Sequence, residues 1–216
     1  MSQFSITLLI VGFTVLISYQ SFNNSNMKNK LLFRPASIKE FGEWYRFLTH
    51  GLVHANWEHL IVNMYVLYIF GEFLELYMFN QIFSPTIGRL VFVLFYFSAV
   101  VVASIPSYFK HQDNPHYLAV GASGATSALV FSYILANDPW SWFIFPPLPA
   151  ILLAIGYLWY SSYMEKRGID NIGHNAHFWG AVYGLVFTLV IFLNYAPQML
   201  ERFFVLFLEG PRLPAF

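Results

Sequence analysis

Six apolar segments, roughly 4–21, 57–79, 88–107, 122–136, 141–162 and 174–195, divide this chain, with polar or Pro/Gly-containing stretches between them. Five are long enough to cross about 30 Å of hydrocarbon as helices, which takes roughly 17–25 residues. Charged residues make up only 10% of the sequence and apolar ones 57%, where soluble domains carry roughly 25% and 45–50%. That leaves too little polar surface for a water-soluble fold. The expectation is an all-α polytopic membrane protein, a bundle of six transmembrane helices forming one domain over 1–216. The apolar N-terminus has no basic n-region and no obvious small-residue cleavage site, so it reads as a retained span rather than a signal peptide.

The fourth segment breaks the pattern. From Ala122 to Ala136 it covers about 15 residues, roughly 22 Å of helix, and Asn137-Asp138-Pro139 closes it. Its other end, Gly121-Ala122-Ser123-Gly124, is then expected below one membrane surface. Tyr117 to Val120, following Asn114-Pro115, would descend to that depth as extended chain. Irregular backbone survives at depth only when buried in protein or facing a water-filled cavity, so a cavity is expected above Ser123. The connection from about 23 to 57 is amphipathic and expected to pack at the interface. The stretch 197–208 reads as an interfacial helix.

Polar groups inside spans are costly and mark candidate functional positions. His59 and Asn63 stand four apart on one face of the second span, Ser123 opens the fourth, and His177 lies in the first turn of the sixth. Gly180 and Gly184 follow His177, and Gly124 and Ala128 form a second small pair on span 4. Facing stripes of small residues let helices approach closely in lipid, which would bring Ser123 and His177 within hydrogen-bond reach. Each feature alone has a plainer reading: a serine at a helix start is usually a cap, a membrane histidine usually an interhelical hydrogen-bonder, and paired glycines simply packing. Together they gather a nucleophile, a base and extra polar donors at one end of three spans.

Gly121-Ala122-Ser123-Gly124, Ala176-His177 with Gly180 and Gly184, and His54 through His59 to Asn63 resemble the motifs of rhomboid-family intramembrane proteases. Trp44-Tyr45-Arg46 with Thr49-His50 resembles the family's Trp-Arg element in the first loop. The match spreads over a core of about 40–195, in the family's order. The resemblance implies a rhomboid-like fold and a serine endopeptidase acting on single-span or polytopic membrane proteins in the bilayer. Ser123 would be nucleophile and His177 general base, in a dyad without a third member. His59, Asn63 and the Ser123 backbone N–H would stabilise the oxyanion. No cofactor and no metal are implied, and the compact core resembles bacterial members, placing it in the inner membrane.

One position departs from the family. An aromatic residue often stands four after the serine, against the catalytic imidazole, and here it is Ser127, so Tyr183 or Trp179 is expected to orient His177. The stretch from Tyr163 to Gly173 is the candidate cap over the site. Basic residues gather on the side of loops 1, 3 and 5, which the positive-inside rule would place in the cytoplasm, whereas the resemblance implies the reverse orientation.

Other function classes stay open at this point. A catalytically inactive relative would act as a scaffold binding membrane helices. A metal-dependent membrane enzyme or small transporter would need an HExxH motif, more clustered histidines or an internal repeat, none of which the sequence contains. A net charge of +0 gives no reason to expect a nucleic-acid partner, and the lack of cysteine excludes disulfides, thiolate metal sites and a cysteine nucleophile.

Overall fold

The structure is a computed structural model that describes residues 5–141, 148–167 and 173–211. Helix α1 (Ile6–Phe22) leads into three short helices, α2 (Ser25–Leu31), α3 (Pro35–Phe41) and α4 (Arg46–Thr49). A long rod follows, built from α5 (Trp57–Glu72), a π-helical stretch (Phe73–Phe79) and α6 (Asn80–Ile82). Then come α7 (Pro85–His111), α8 (Ser123–Ala136), α9 (Ala150–Arg167), α10 (His174–Tyr195) and α11 (Pro197–Glu209). Among the described residues there is no strand; Phe33 and Ala119 form an isolated bridge.

Trp57–Ile82, Pro85–His111 and Asn175–Tyr195 are long and apolar enough to cross a membrane by length and composition, while Ile6–Phe22, Ser123–Ala136 and Ala150–Tyr160 are apolar but shorter. The outward faces carry Leu9, Phe13, Ile61, Leu94, Ile155 and Leu193, all well exposed. So much outward apolar surface on every side suits lipid rather than water.

Helix α8 is the hub. It touches α5, α7, α9, α10 and α11, and nearly its whole circumference is buried, as expected of a helix apolar all round. Its 14 residues span only about 21 Å. The fifth segment departs from its apolar run: α9 begins at Ala150, not near 141, because Pro146, Pro147 and Pro149 interrupt the run that precedes it. The opening N–H groups of α9 are satisfied instead by the carbonyls of Ser141 and Pro139, at 2.8 and 3.0 Å.

The π-helical stretch coincides with a second departure. Glu72 and Glu75 at the end of span 2 read in the sequence as an interfacial, hydrogen-bonded helix terminus; Glu75 is hydrogen-bonded, but it is fully buried. Its carboxylate accepts from the N–H groups of Ile6 (2.9 Å) and Thr7 (2.8 Å) and from the Thr7 hydroxyl (2.8 Å). A carboxylate there meets both the orphan donors and the positive end of α1. Arg89 Nε lies 3.7 Å from the same carboxylate.

Candidate active site

The first connection is a stapled scaffold. Arg46 is buried, and its guanidinium donates to the carbonyls of Asn29 (2.9 Å) and Leu32 (2.7 Å) and to Glu43 (2.6 Å). Fixing Leu32 also fixes its neighbour Phe33, which exchanges two backbone hydrogen bonds with Ala119 at 2.9 and 3.1 Å. The extended chain leading down to Ser123 is therefore held by the first connection. His50 adds a further tie, its carbonyl accepting from Gly121 N–H at 2.9 Å.

Gly121 adopts φ +109°, and a Cβ there would sit 2.5 Å from His59 Cε1. Only glycine suits a position that is both left-handed and pressed against a ring. Ser123 is the first helical residue of α8, and the capping position belongs to Ala122, which makes no side-chain cap bond. The serine is thus one step inside the helix rather than capping it, in the turn whose N–H groups have no intrahelical acceptor.

Spans 4 and 6 meet backbone to backbone. A Cβ on Gly180 would come within 2.0 Å of the Gly124 carbonyl oxygen, and one on Gly184 within 2.2 Å of that of Ala128. Ser132 adds a hydrogen bond to the Gly184 carbonyl at 3.1 Å. Gly180 is one turn after His177 and Gly124 is next to Ser123, so this contact sets the spacing between the two candidate side chains.

A cavity of about 820 Å³ lies between α5, α8, α9 and α10, and its lining includes Ser123, His177, His59 and Asn63. The arrangement gathers all four sequence candidates around one space. Among the described residues, no hydrogen bond joins the Ser123 hydroxyl to the His177 ring; such contacts are commonly long before substrate binds. A second cavity, about 30 Å³, lies behind Ser123 and is lined by Ser104, Ser107 and His50, with room for a water molecule or two.

On the α5 side, Asn63 donates to the His59 carbonyl at 2.8 Å and accepts from Thr126 at 3.2 Å, which leaves its second N–H for the cavity. His59 Nδ1 accepts from Ala55 N–H at a long 3.5 Å, a role that puts the ring proton on Nε2 as a donor. The His54 ring packs edge-on against it, with centroids 5.1 Å apart. His54 is itself held by Ser18 of α1 at 2.8 Å, and burial lowers its pKa to about 3. Burial also lowers His50 to about 4, so both rings are neutral supports. Among the described residues no cluster of three or more His, Cys, Asp or Glu could hold a metal ion.

The ring that meets His177 is neither of those expected. Tyr183 stacks on Phe95 and bonds Ser98 at 2.5 Å, and Trp179 is exposed. At 100° per residue, positions two and six after His177 point away from it, a signal already present in the sequence. Tyr157 of α9 takes the place instead, its ring 5.7 Å from the imidazole and tilted 26°. Nothing in the sequence set the register between α9 and α10. The proposed cap from Tyr163 to Gly173 begins in the last residues of α9, which ends at Arg167, and its positions 168–172 lie outside the described residues.

Residues 41–194 match the Rhomboid domain family model. The chain is 26% identical over 197 residues to "Rhomboid protease GlpG" of Haemophilus influenzae, covering 87% of this chain and 91% of that protein. It is 25% identical over 198 residues to "Rhomboid-like protein 11, chloroplastic" of Arabidopsis thaliana, covering 85% of this chain and 64% of that one. With "Rhomboid-related protein 1" of Caenorhabditis elegans it shares 29% identity over 168 residues, 74% of this chain and 44% of the worm protein. The chain thus spans less than two thirds of the length of these plant and worm relatives. A helical bundle with an apolar exterior and a family match over most of its length lead to one assignment: this integral membrane protein belongs to the rhomboid family.

Proposed function

We propose that the protein is an intramembrane serine endopeptidase that hydrolyses peptide bonds in or near the transmembrane segments of other membrane proteins. The observation that carries this reading is the 820 Å³ cavity, which gathers Ser123, His177, His59 and Asn63 inside a bundle with an apolar outside. The relative named a rhomboid protease, aligned over 91% of its length, supports it.

Hydrolysis inside a bilayer needs water and an extended peptide bond. The short α8 supports the first: a helix of 14 residues is too short to cross the bilayer, and Ser123, at its start, lines a cavity that would admit water. Val62 and Val66 of α5 face Leu153 and Ala154 of α9 across that cavity, an apolar passage suited to a substrate helix entering from the side. Its unwound end would bring a carbonyl to Ser123. Ser123 Oγ attacks while its proton passes to His177, and the oxyanion takes hydrogen bonds from His59, Asn63 and the Ser123 backbone N–H. His177 then protonates the leaving amine, and an ester on Ser123 remains. Water attacks that ester, His177 takes its proton, and collapse returns the proton to Ser123 with release of the carboxylic acid.

The compact core and the Haemophilus relative support placement in a bacterial inner membrane, with single-span or polytopic proteins as substrates. Incubating detergent-purified protein with a fluorophosphonate and mapping the adduct tests the chemistry. Labelling of Ser123 that disappears in His177→Ala is expected; labelling elsewhere, or undiminished in that variant, rules the dyad out.

A further inference from the structure

We propose that Lys28 makes the cavity selective for substrates that carry an aspartate or glutamate within a few residues of the scissile bond, its ammonium receiving that carboxylate. The proposal rests on the endopeptidase reading above and adds to it a property of the substrate.

Lys28 belongs to the last turn of α2, yet it lines the same cavity as Ser123, His59 and His177. Its Nζ donates to the Ala55 carbonyl at 3.2 Å, and the Ala55 N–H reaches His59 Nδ1 at 3.5 Å. Ala55 thus ties the ammonium to the wall that carries His59. An ammonium has three donors, and the Ala55 carbonyl takes one. Among the described residues the ion pairs are Lys39–Asp113, Arg46–Glu43 and Arg89–Glu75, so Lys28 has no carboxylate partner. Burial pulls its pKa below the ordinary lysine range with no acid opposing the change. That is the mark of a cation that has lost water and gained no counter-charge.

Among the described lining residues Lys28 is the only ammonium or guanidinium, and Glu58 the only carboxylate. Glu58 is exposed in the first turn of α5, where water screens it and the helix dipole suits it, so it does not cancel the half-buried Lys28. A peptide segment that reaches Ser123 shares the cavity with this cation. An acidic side chain on that segment supplies the missing partner through charge-assisted hydrogen bonds, and a basic one is opposed. The plainer reading is that Lys28 merely favours the C-terminal end of α2. Lys30 stands in the same turn, exposed and away from the cavity lining, and serves that purpose equally well.

The two readings separate in kinetics of the full-length protein in an uncharged detergent. Tagged single-span reporters carry Asp, or Asn of the same shape, at one position at a time on either side of the scissile bond. The quantity read is the Asp-to-Asn ratio of kcat/KM within each variant, so a general loss of activity or of folded protein cancels. The parent should prefer Asp by about fivefold to thirtyfold at one or two neighbouring positions, mostly through KM, because the contact is present before the transition state as well as in it. Lys28→Met should bring that ratio to about one. Lys28→Glu should prefer Lys to Asp at the same position, while Lys30→Met should keep the parental ratio. No Asp preference in the parent, or a preference that persists in Lys28→Met, would overturn the proposal. So would the absence of that preference together with a Lys28-dependent gain for every reporter on adding phosphatidylglycerol, which assigns the ammonium to a lipid phosphate. Labelling of Ser123 by a fluorophosphonate with a ratio of one removes this proposal alone; a parent that neither cleaves nor labels removes the endopeptidase reading, and this proposal with it.

Discussion

Replacing Gly180 by alanine should strike stability and turnover together. The new Cβ would lie 2.0 Å from the Gly124 carbonyl oxygen and 2.7 Å from its carbon. An aliphatic carbon rests no closer than about 3.3 Å from such an oxygen, so α8 and α10 must part by more than about 1 Å. Both obstructing atoms are backbone, so no side chain can turn aside to relieve the contact. Overpacking of this kind typically costs about 1–3 kcal/mol. The same shift separates His177, one turn away, from Ser123, next to Gly124, and a misplacement near 1 Å can cost on the order of 10² in rate. Gly184→Ala meets the Ala128 carbonyl oxygen at 2.2 Å but two turns from His177, so its stability loss should be similar and its rate loss smaller. Gly12→Ala meets nothing within 4 Å and serves as the control. Thermal unfolding and reporter cleavage on one set of detergent preparations give both numbers. A Gly180→Ala protein with parental melting temperature and turnover would refute the idea that this backbone contact sets the geometry of the site.

Three further outcomes are expected. Glu75→Gln keeps the volume but loses the charge that holds the start of α1, and should destabilise by about 2–3 kcal/mol, read by thermal unfolding, with cleavage kept in the folded fraction; an unchanged melting temperature contradicts it. Arg46→Lys cannot reproduce the fork that bonds Asn29, Leu32 and Glu43, and should cost about 2 kcal/mol or more and loosen protease-accessible sites in the first connection, whereas parental proteolysis would contradict it. His50 and His54 titrate lower in the folded chain, at about 4 and about 3, than the ordinary histidine value of about 6.5. The unfolded chain therefore binds more protons in that window, so their stability contribution is complete above about 6.5 and is lost as the pH falls toward 4. Melting temperature measured across this range should drop on the acid side, and less steeply in His54→Gln; a flat profile contradicts it.

Much of the architecture was legible because bilayer-crossing helices announce themselves as long apolar runs. The fourth run was also legible as a short helix, and α8 has 14 residues. The stripes at Gly124, Ala128, Gly180 and Gly184 were readable because only small residues allow backbone contact. Tyr157 was not readable, because its pairing with His177 depends on the relative rotation of two helices, and apolar spans carry little to set that register. Helical geometry alone would have removed Trp179 and Tyr183 as its alternatives. The inward turn of Glu75 was hidden for a related reason: it falls in a π-helical stretch, where the 100° rule no longer tells which way a side chain points. The stapling of the first connection by Arg46 rests on carbonyls 14 and 17 residues away, a pairing no local pattern records.

The central claim is that Ser123 and His177 cut peptide bonds of membrane proteins. The measurement that meets it most directly is cleavage of a tagged single-span substrate by the purified protein, beside Ser123→Ala and His177→Ala, each shown to be folded. The account predicts a defined cleavage product from the parent and none from either variant. Product formed at the parental rate by folded Ser123→Ala would contradict it.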